Sequence, residues 1–350
     1  MPVMPPKTIR PLALLCSALL LPCAAPAFAR DLTVVDYGGS GQQADRAAYV
    51  EPYIKATGSP VILDAWDGEM AKVKAMVDTG NVSWDLVQMD AAEVQRACDE
   101  GLLEKIDWSK ITAKAEMMEA AVHPCGVGKF VWATALAYSK TLAQAPQSWA
   151  DFWNLERFPG KRAMRKRAEA TLEIALLADG VPAADVYKVL ATPEGQQRAF
   201  AKLDKIKPQI QWWEAGALPM QWLVAGDVVM AAAYSGRVAS AKKETSKVDM
   251  TWAGNIYVMD YWAMVKGSPN RDAAYRFLAY ASQADRQVAY FREQPYGPVN
   301  TRAADEVARD NAADSPSAPA NLAQGLPLGV QFWIEHGEEL EEKFNAWAAR

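Results

Sequence analysis

From Asp31 onward, short apolar runs alternate with stretches whose apolar residues recur every three or four positions. The runs Leu32 to Tyr37, Val61 to Trp66 and Asp85 to Met89 predict strands. Between and after them, residues 44–56, 69–79 and 91–100 predict helices, stopped in turn by Gly58, Gly80 and Gly101. The turn Gly38-Gly39-Ser40-Gly41 breaks the first strand from the first helix. The theme continues with strand-like runs at residues 131–138, 162–166, 228–234 and 257–265. Ser148 caps a helix carrying Trp149 and Trp153, residues 169–178 read as a helix ended by Gly180, and Thr192-Pro193-Glu194 opens another. A last helix is expected over residues 330–347. This repetition predicts an α/β fold with a mostly parallel sheet and helices on both faces. Without an internal repeat or a flexible linker, two α/β lobes joined by crossing strands fit better than separate beads.

The first 29 residues stand outside the pattern. Lys7 and Arg10 precede an apolar run from Pro11 to Leu21, and Ala27-Phe28-Ala29 supplies a small-x-small cleavage pattern. That predicts a signal peptide over residues 1–29. Its apolar run is shorter than the roughly 20 residues a spanning helix needs. Leu15 and Pro22 stand before Cys16 and Cys23 where a lipoprotein would need a small residue. The mature chain is therefore expected to be exported and soluble. With Cys16 and Cys23 removed, Cys98 and Cys125 remain, and two cysteines in an oxidising compartment are expected to pair.

Composition narrows the function. The 350 residues carry a formal net charge of −5, which disfavours a nucleic-acid partner, since phosphates need a basic footprint. Two histidines leave little for His-based catalysis, and no Walker loop, nucleophile elbow or metal-ligand cluster is present. No cofactor and no metal are expected. One pattern points the other way: Gly39-Ser-Gly41-Gln-Gln-Ala44 follows a strand, with Asp64 at the end of the next. That spacing fits a dinucleotide fingerprint and keeps an exported NAD-linked enzyme as a remote alternative. The stretch Lys161-Arg162-Ala-Met-Arg165-Lys166-Arg167 is either a solvated edge strand or a strand whose end, Arg165 or Arg167, reaches a cleft and holds a carboxylate.

Five short segments carry a resemblance: Asp85-Leu-Val-Gln-Met-Asp90, Glu100-Gly-Leu-Leu-Glu-Lys-Ile-Asp107, Ser148-Trp-Ala-Asp-Phe-Trp153, Val258-Met-Asp260 and Pro295-Tyr-Gly-Pro-Val-Asn300. Over essentially the whole mature chain the sequence resembles the polyamine-type solute-binding proteins of ABC importers. The resemblance implies a periplasmic, type II-like two-lobe binding protein with its ligand in the interlobe cleft. Lobe 1 would comprise residues 30–136 and 259–302, and lobe 2 residues 137–258 and 303–350. It also implies a monomer that delivers a small molecule to an inner-membrane ABC permease, and no enzyme activity.

The departures from that family set the expected ligand. Aligned through Trp-Ala-Asp and Gly160, the acidic pair of the family's second lobe falls on Arg167 and Ala170. Asp260 matches the family's amine-binding acid, and Tyr234 falls at an aromatic clamp. A polycation would meet repulsion at Arg167, whereas a zwitterion would meet complementary charges at both ends. The chain is thus similar to the γ-aminobutyrate-like branch, binding a small amine-bearing organic acid. Asp260 is expected to take the ammonium and Arg167 the carboxylate, with Tyr234, Tyr37 and Trp66 as walls. Asp90 reads either as a second acceptor or as a helix N-cap, and Gly38 and Gly39 would admit the ligand close to backbone. A putrescine or spermidine binder, with Arg167 turned away, and an organic-anion binder built on Arg165 to Arg167 remain as alternatives.

Overall fold

A computed structural model describes residues 1–4, 30–111 and 113–350. The expected signal peptide, residues 1–29, therefore lies almost wholly outside the described residues. Among those that are described, no helix is long and apolar enough to cross a membrane.

Ten strands form one sheet: β1 (Leu32–Asp36), β2 (Val61–Ala65), β3 (Leu86–Asp90), β4 (Val122–His123), β5 (Gly126–Ser139), β6 (Arg162–Arg165), β7 (Ile210–Trp213), β8 (Met230–Tyr234), β9 (Val248–Met264) and β10 (Leu326–Pro327). The main order is β2-β1-β3-β9-β5-β8-β6-β7. The flanks are parallel, as expected: β1 pairs with β2 and β3, and β6 pairs with β7 and β8. The centre is not. The two longest strands, β5 and β9, run antiparallel to each other, and each also pairs antiparallel with its other main neighbour. The expectation of a mostly parallel sheet is corrected to a mixed one, because two long strands crossing between halves can pair side by side without a helical crossover.

Of four apolar clusters among the described residues, a small one joins the helices Ala284–Glu293 and Thr301–Asn311 and three fill the halves of the sheet. One gathers β1, β3, the first part of β5 through Val127, Phe130 and Val131, and the last part of β9 from Val258 onward. The other two flank the opposite half on its two faces. Ala133, Ala135 and Ala137 of β5 face one cluster while Leu136 faces the other. Met230 and Ala232 of β8 alternate in the same way with Ala231 and Ala233. The β5–β9 register shifts near Gly128, where a Cβ would come within 2.5 Å of Ala121 Cβ. Only glycine lets the backbones approach there.

The Cys98–Cys125 disulfide is present, with 27 residues of separation. It ties the helix Ala91–Asp99 to the start of β5. Beside it His123 accepts from the Cys125 N–H at 3.1 Å, so this histidine has a structural use.

Candidate functional site

A cavity of about 410 Å³ opens where β1, β3, β6 and β8 end and the central strands β5 and β9 pass. In open α/β sheets this is where ligands bind, because strand ends release side chains and turns into one crevice. Of the residues singled out from sequence, Tyr37, Gly38, Asp90, Arg167, Tyr234 and Asp260 line it. Two do not. Gly39 lies in the first turn of the helix Gly39–Asp45, and Trp66 is buried behind Tyr37, stacked on it at 5.7 Å between ring centroids. Trp66 thus supports a wall residue and is not itself among the lining residues; it borders a separate surface pocket with Trp84 and Lys72.

One end of the cavity is acidic. Asp260 is buried on β9, directly opposite Asp90 of β3 in the ladder. Its Oδ1 accepts from Trp132 Nε1 at 2.7 Å and its Oδ2 from Gln88 Nε2 at 2.6 Å. Burial, with the Asp90 charge added, pushes Asp260 up to about 7. Asp90 caps the helix Ala91–Asp99: its Oδ1 accepts from the Glu93 N–H at 2.8 Å, and Glu93 Oε2 accepts from the Asp90 N–H at 2.9 Å. Both readings of Asp90, cap and cavity acid, therefore hold at once. The Tyr37 hydroxyl donates to the same Glu93 oxygen. Glu93 is itself pushed up to about 7 by burial and by Asp90. Asp36 completes this end; its Oδ1 accepts from the Gly38 N–H at 2.6 Å, while its buried Oδ2 has no partner. Gly38, at φ 72°, makes the turn that brings this N–H back onto the Asp36 carboxylate.

The opposite end carries three arginines, and the basic stretch 161–167 divides its work. Arg162 is fully buried, donating to the carbonyls of Phe152, Phe158 and Gly160, so it is structural. Lys166 points to Glu214 at 3.5 Å. Arg165 and Arg167 line the cavity, with Arg165 5.7 Å from the Tyr234 ring and Arg167 3.7 Å from Glu169. Burial raises the Glu169 carboxyl, against the pull of Arg167. The next residue, Ala170, holds φ 66°, the one non-glycine among the described residues at positive φ. Such strain is stored at functional sites. The third arginine, Arg237, lies in the first turn of the helix Ser235–Glu244; its Nε is buried and has no partner.

Aromatic rings join the two ends. Phe130 stacks on Tyr296 at 4.8 Å and on Tyr290 at 5.4 Å, and Trp132 meets Tyr234 edge-on at 5.2 Å. Sequence reasoning missed Trp132, Phe130, Tyr290, Tyr296, Gln88, Glu93, Glu169 and Arg237. Signals existed for three of them. Glu93 is the third helical position of an Asp-x-x-Glu capping pattern, and Phe130 and Trp132 share one face of a strand two residues apart. Nothing local distinguishes Arg237 from any other arginine at a helix start.

Among the described residues no group of three or more His, Cys, Asp and Glu is placed to hold a metal ion. The acid of the dinucleotide pattern is already engaged within the fold. Asp64, its ribose acid, has its Oδ2 taken by Trp84 Nε1 at 2.8 Å and its Oδ1 by the Ala65 N–H at 2.8 Å.

Residues 48–320 match the model of the bacterial extracellular solute-binding protein family. The chain is 52% identical over 333 residues, 95% of either chain, to the gamma-aminobutyric acid-binding protein of Pseudomonas aeruginosa PAO1. It is 25% identical over 257 residues to the spermidine/putrescine-binding periplasmic protein of Escherichia coli K12, covering 69% of this chain and 71% of that one. Among solved structures it is similar to the Atu4243 GABA receptor, with a TM-score of 0.82 and 33% identity over 92% of this chain and 98% of the other. The α/β sheet, the crevice at its strand ends and these matches agree, and the chain belongs to the bacterial extracellular solute-binding protein family.

Proposed function

We propose that this protein captures a small ω-amino acid of the γ-aminobutyrate type. The single observation that carries this reading is how charge is distributed over the elements that line the cavity: the acids Asp36, Asp90, Glu93 and Asp260 come from β1, β3 with its helix and β9, and the arginines Arg165, Arg167 and Arg237 come from β6, the loop after it and the helix after β8, with Glu169 beside Arg167. An ammonium paired with Asp260 and a carboxylate paired with the arginines would each exchange water for an opposite charge. Burying either charge unpaired would cost several kcal/mol, so pairing sets specificity. Arg237 is the arginine with most to gain, since its buried Nε has no partner. This widens the expectation that Arg167 alone holds the carboxylate. The aromatic rings of Phe130, Trp132, Tyr234, Tyr290 and Tyr296 would surround the ligand's methylenes and face its ammonium. A polyamine would bring a second cation to three arginines against the single carboxylate of Glu169, a net positive surrounding that argues against putrescine or spermidine. A simple organic anion would leave the acidic end unpaired. The γ-aminobutyrate-binding relative supports the same reading.

In this reading residues 30–136 with 259–302, and 137–258 with 303–350, act as lobes that close on the ligand. The protein works as an exported monomer, its leader removed after Ala29, and hands its ligand to an ABC permease. Its work is capture without chemical change. The test is a thermal-shift panel on protein freed of ligand by unfolding and refolding, with γ-aminobutyrate, putrescine, spermidine, aromatic carboxylates and NAD each near 1 mM. A micromolar ligand stabilises by about 4 kcal/mol at that concentration. The reading expects a response to short ω-amino acids; a response to polyamines alone, or to NAD, would overturn it.

A further inference from the structure

Behind Asp260 runs a buried line of polar side chains: Gln88, Lys129 and Asp45. The Lys129 ammonium, 1% exposed, stands 2.6 Å from Asp45 Oδ2 and 2.5 Å from Gln88 Oε1, and 3.9 Å from the Trp262 ring centroid. A buried ion pair is weak evidence for stability, because apolar side chains of similar volume often serve as well. The pair therefore invites a functional explanation, and donor chemistry supplies one. An ammonium can only donate. Gln88 must then turn its carbonyl oxygen to Lys129 and its NH₂ group to Asp260, which it reaches at 2.6 Å. The indole N–H of Trp132, also a donor only, holds the other Asp260 oxygen. Neither contact can invert while Lys129 is charged. Burial, with neighbouring Asp36 adding to it, pushes Asp45 up to about 7 against the pull of Lys129, so at and above that pH Asp45 cancels the positive charge that would otherwise repel an incoming ammonium.

We propose that Lys129 is a positioning residue for ligand capture: paired with Asp45, it locks Gln88 in the amide orientation that donates to Asp260, and so favours the ionised form of that carboxylate and keeps it aimed at the ligand's ammonium. This rests on the reading of Asp260 as the ammonium site. The charged and titratable groups that face Asp260 are Asp90 and Glu93 from β3 and its helix, Lys129 from β5 and Tyr37 from the turn after β1. Tyr261, Tyr290 and Tyr296 also feel its charge, and Arg165, Arg167, Arg237 and Glu169 line the same cavity. Among these, Lys129 is the cation that favours the charged carboxylate.

The test is calorimetric titration of γ-aminobutyrate into the full protein from pH 5.5 to 8.5, for wild type, Lys129→Met, Lys129→Gln and the double variant Asp45→Asn/Lys129→Met. Lys129→Met frees Gln88 to present its oxygen to Asp260. It should weaken binding by about tenfold at pH 7, the worth of one hydrogen bond to a charged group, and move the acid limb to higher pH. Lys129→Gln keeps an N–H for the Gln88 oxygen and should retain most of the affinity. The double variant removes both buried charges together and should show the same displaced limb, even where the single variant folds poorly. A purely structural lysine would lower the melting temperature and leave the acid limb in place. Wild-type affinity and an unmoved limb in both Met variants would overturn the proposal. If wild type fails to bind γ-aminobutyrate, or Asp260→Asn binds it equally well, the reading of the site fails with it.

Discussion

The two ends of the cavity are built differently. At the acidic end nearly every side chain is already held: both Asp260 oxygens accept a hydrogen bond, and Asp90 and Glu93 cap one helix reciprocally. At the basic end the arginines are loosely engaged. Arg165 lies against aromatic rings, Arg167 reaches Glu169 only at 3.7 Å, and Arg237 Nε has no partner. A preorganised end has met its ordering cost before the ligand arrives, whereas a loose end meets it on binding. The acidic end should therefore be strict about what it accepts. The basic end should tolerate variation in the length and geometry of the acid.

The largest expected effect breaks the strict end. Asp260→Asn should weaken γ-aminobutyrate by roughly 30- to 5000-fold, the range for truncating a buried charge pair. Calorimetry reads it directly, and a loss under fivefold would mean the ammonium sits elsewhere. Next comes Arg237→Ala, for which about 10- to 100-fold is expected from the loss of a charge-assisted contact. Crystals of the complex would show whether the carboxylate meets Arg237 or only Arg165 and Arg167.

A pH titration separates the ends without mutation. Asp260 stands at about 7 in the empty site and must be ionised to hold an ammonium. Affinity should therefore be full above pH 7 and fall as pH drops below it, by up to about tenfold per unit, with protons released on binding at acidic pH. Glu93, also near 7, should steepen the fall where it interacts with the ligand. Repeating the titration in buffers of different ionisation enthalpy counts the protons; none released at pH 6 would contradict the account. Smallest of all, Arg167→Ala should cost about threefold, because its side chain is 42% exposed and already faces Glu169.

The sequence made some of this architecture legible and hid the rest for identifiable reasons. The flanking strands show as short apolar runs punctuated by glycine, and the cysteine pairing follows from compartment and number. Asp260 and Tyr234 emerged through resemblance to a family. The long central strands did not show their length. β9 runs from Val248 to Met264, but Asp249, Thr251 and Asn255 interrupt its apolar pattern, and only its second half reads as a strand. Lys129 masks β5 in the same way, although both of its partners lie within the fold. Trp66 failed as a wall because strand parity says which way a ring points and not what stands in front of it. Arg237 and Tyr290 reach the cavity from helices remote in sequence, a proximity only tertiary structure creates.

The most direct test of a site with opposite ends is a cycle that changes the protein's cation and the ligand's acid together. Calorimetry would measure γ-aminobutyrate and putrescine, which carries an ammonium in place of the carboxylate end, against wild type and Arg237→Ala. The account predicts that γ-aminobutyrate binds wild type far more tightly, and that Arg237→Ala weakens it at least about tenfold while leaving putrescine unchanged or improved. Equal losses for both ligands, or putrescine binding wild type as tightly as γ-aminobutyrate, would contradict it.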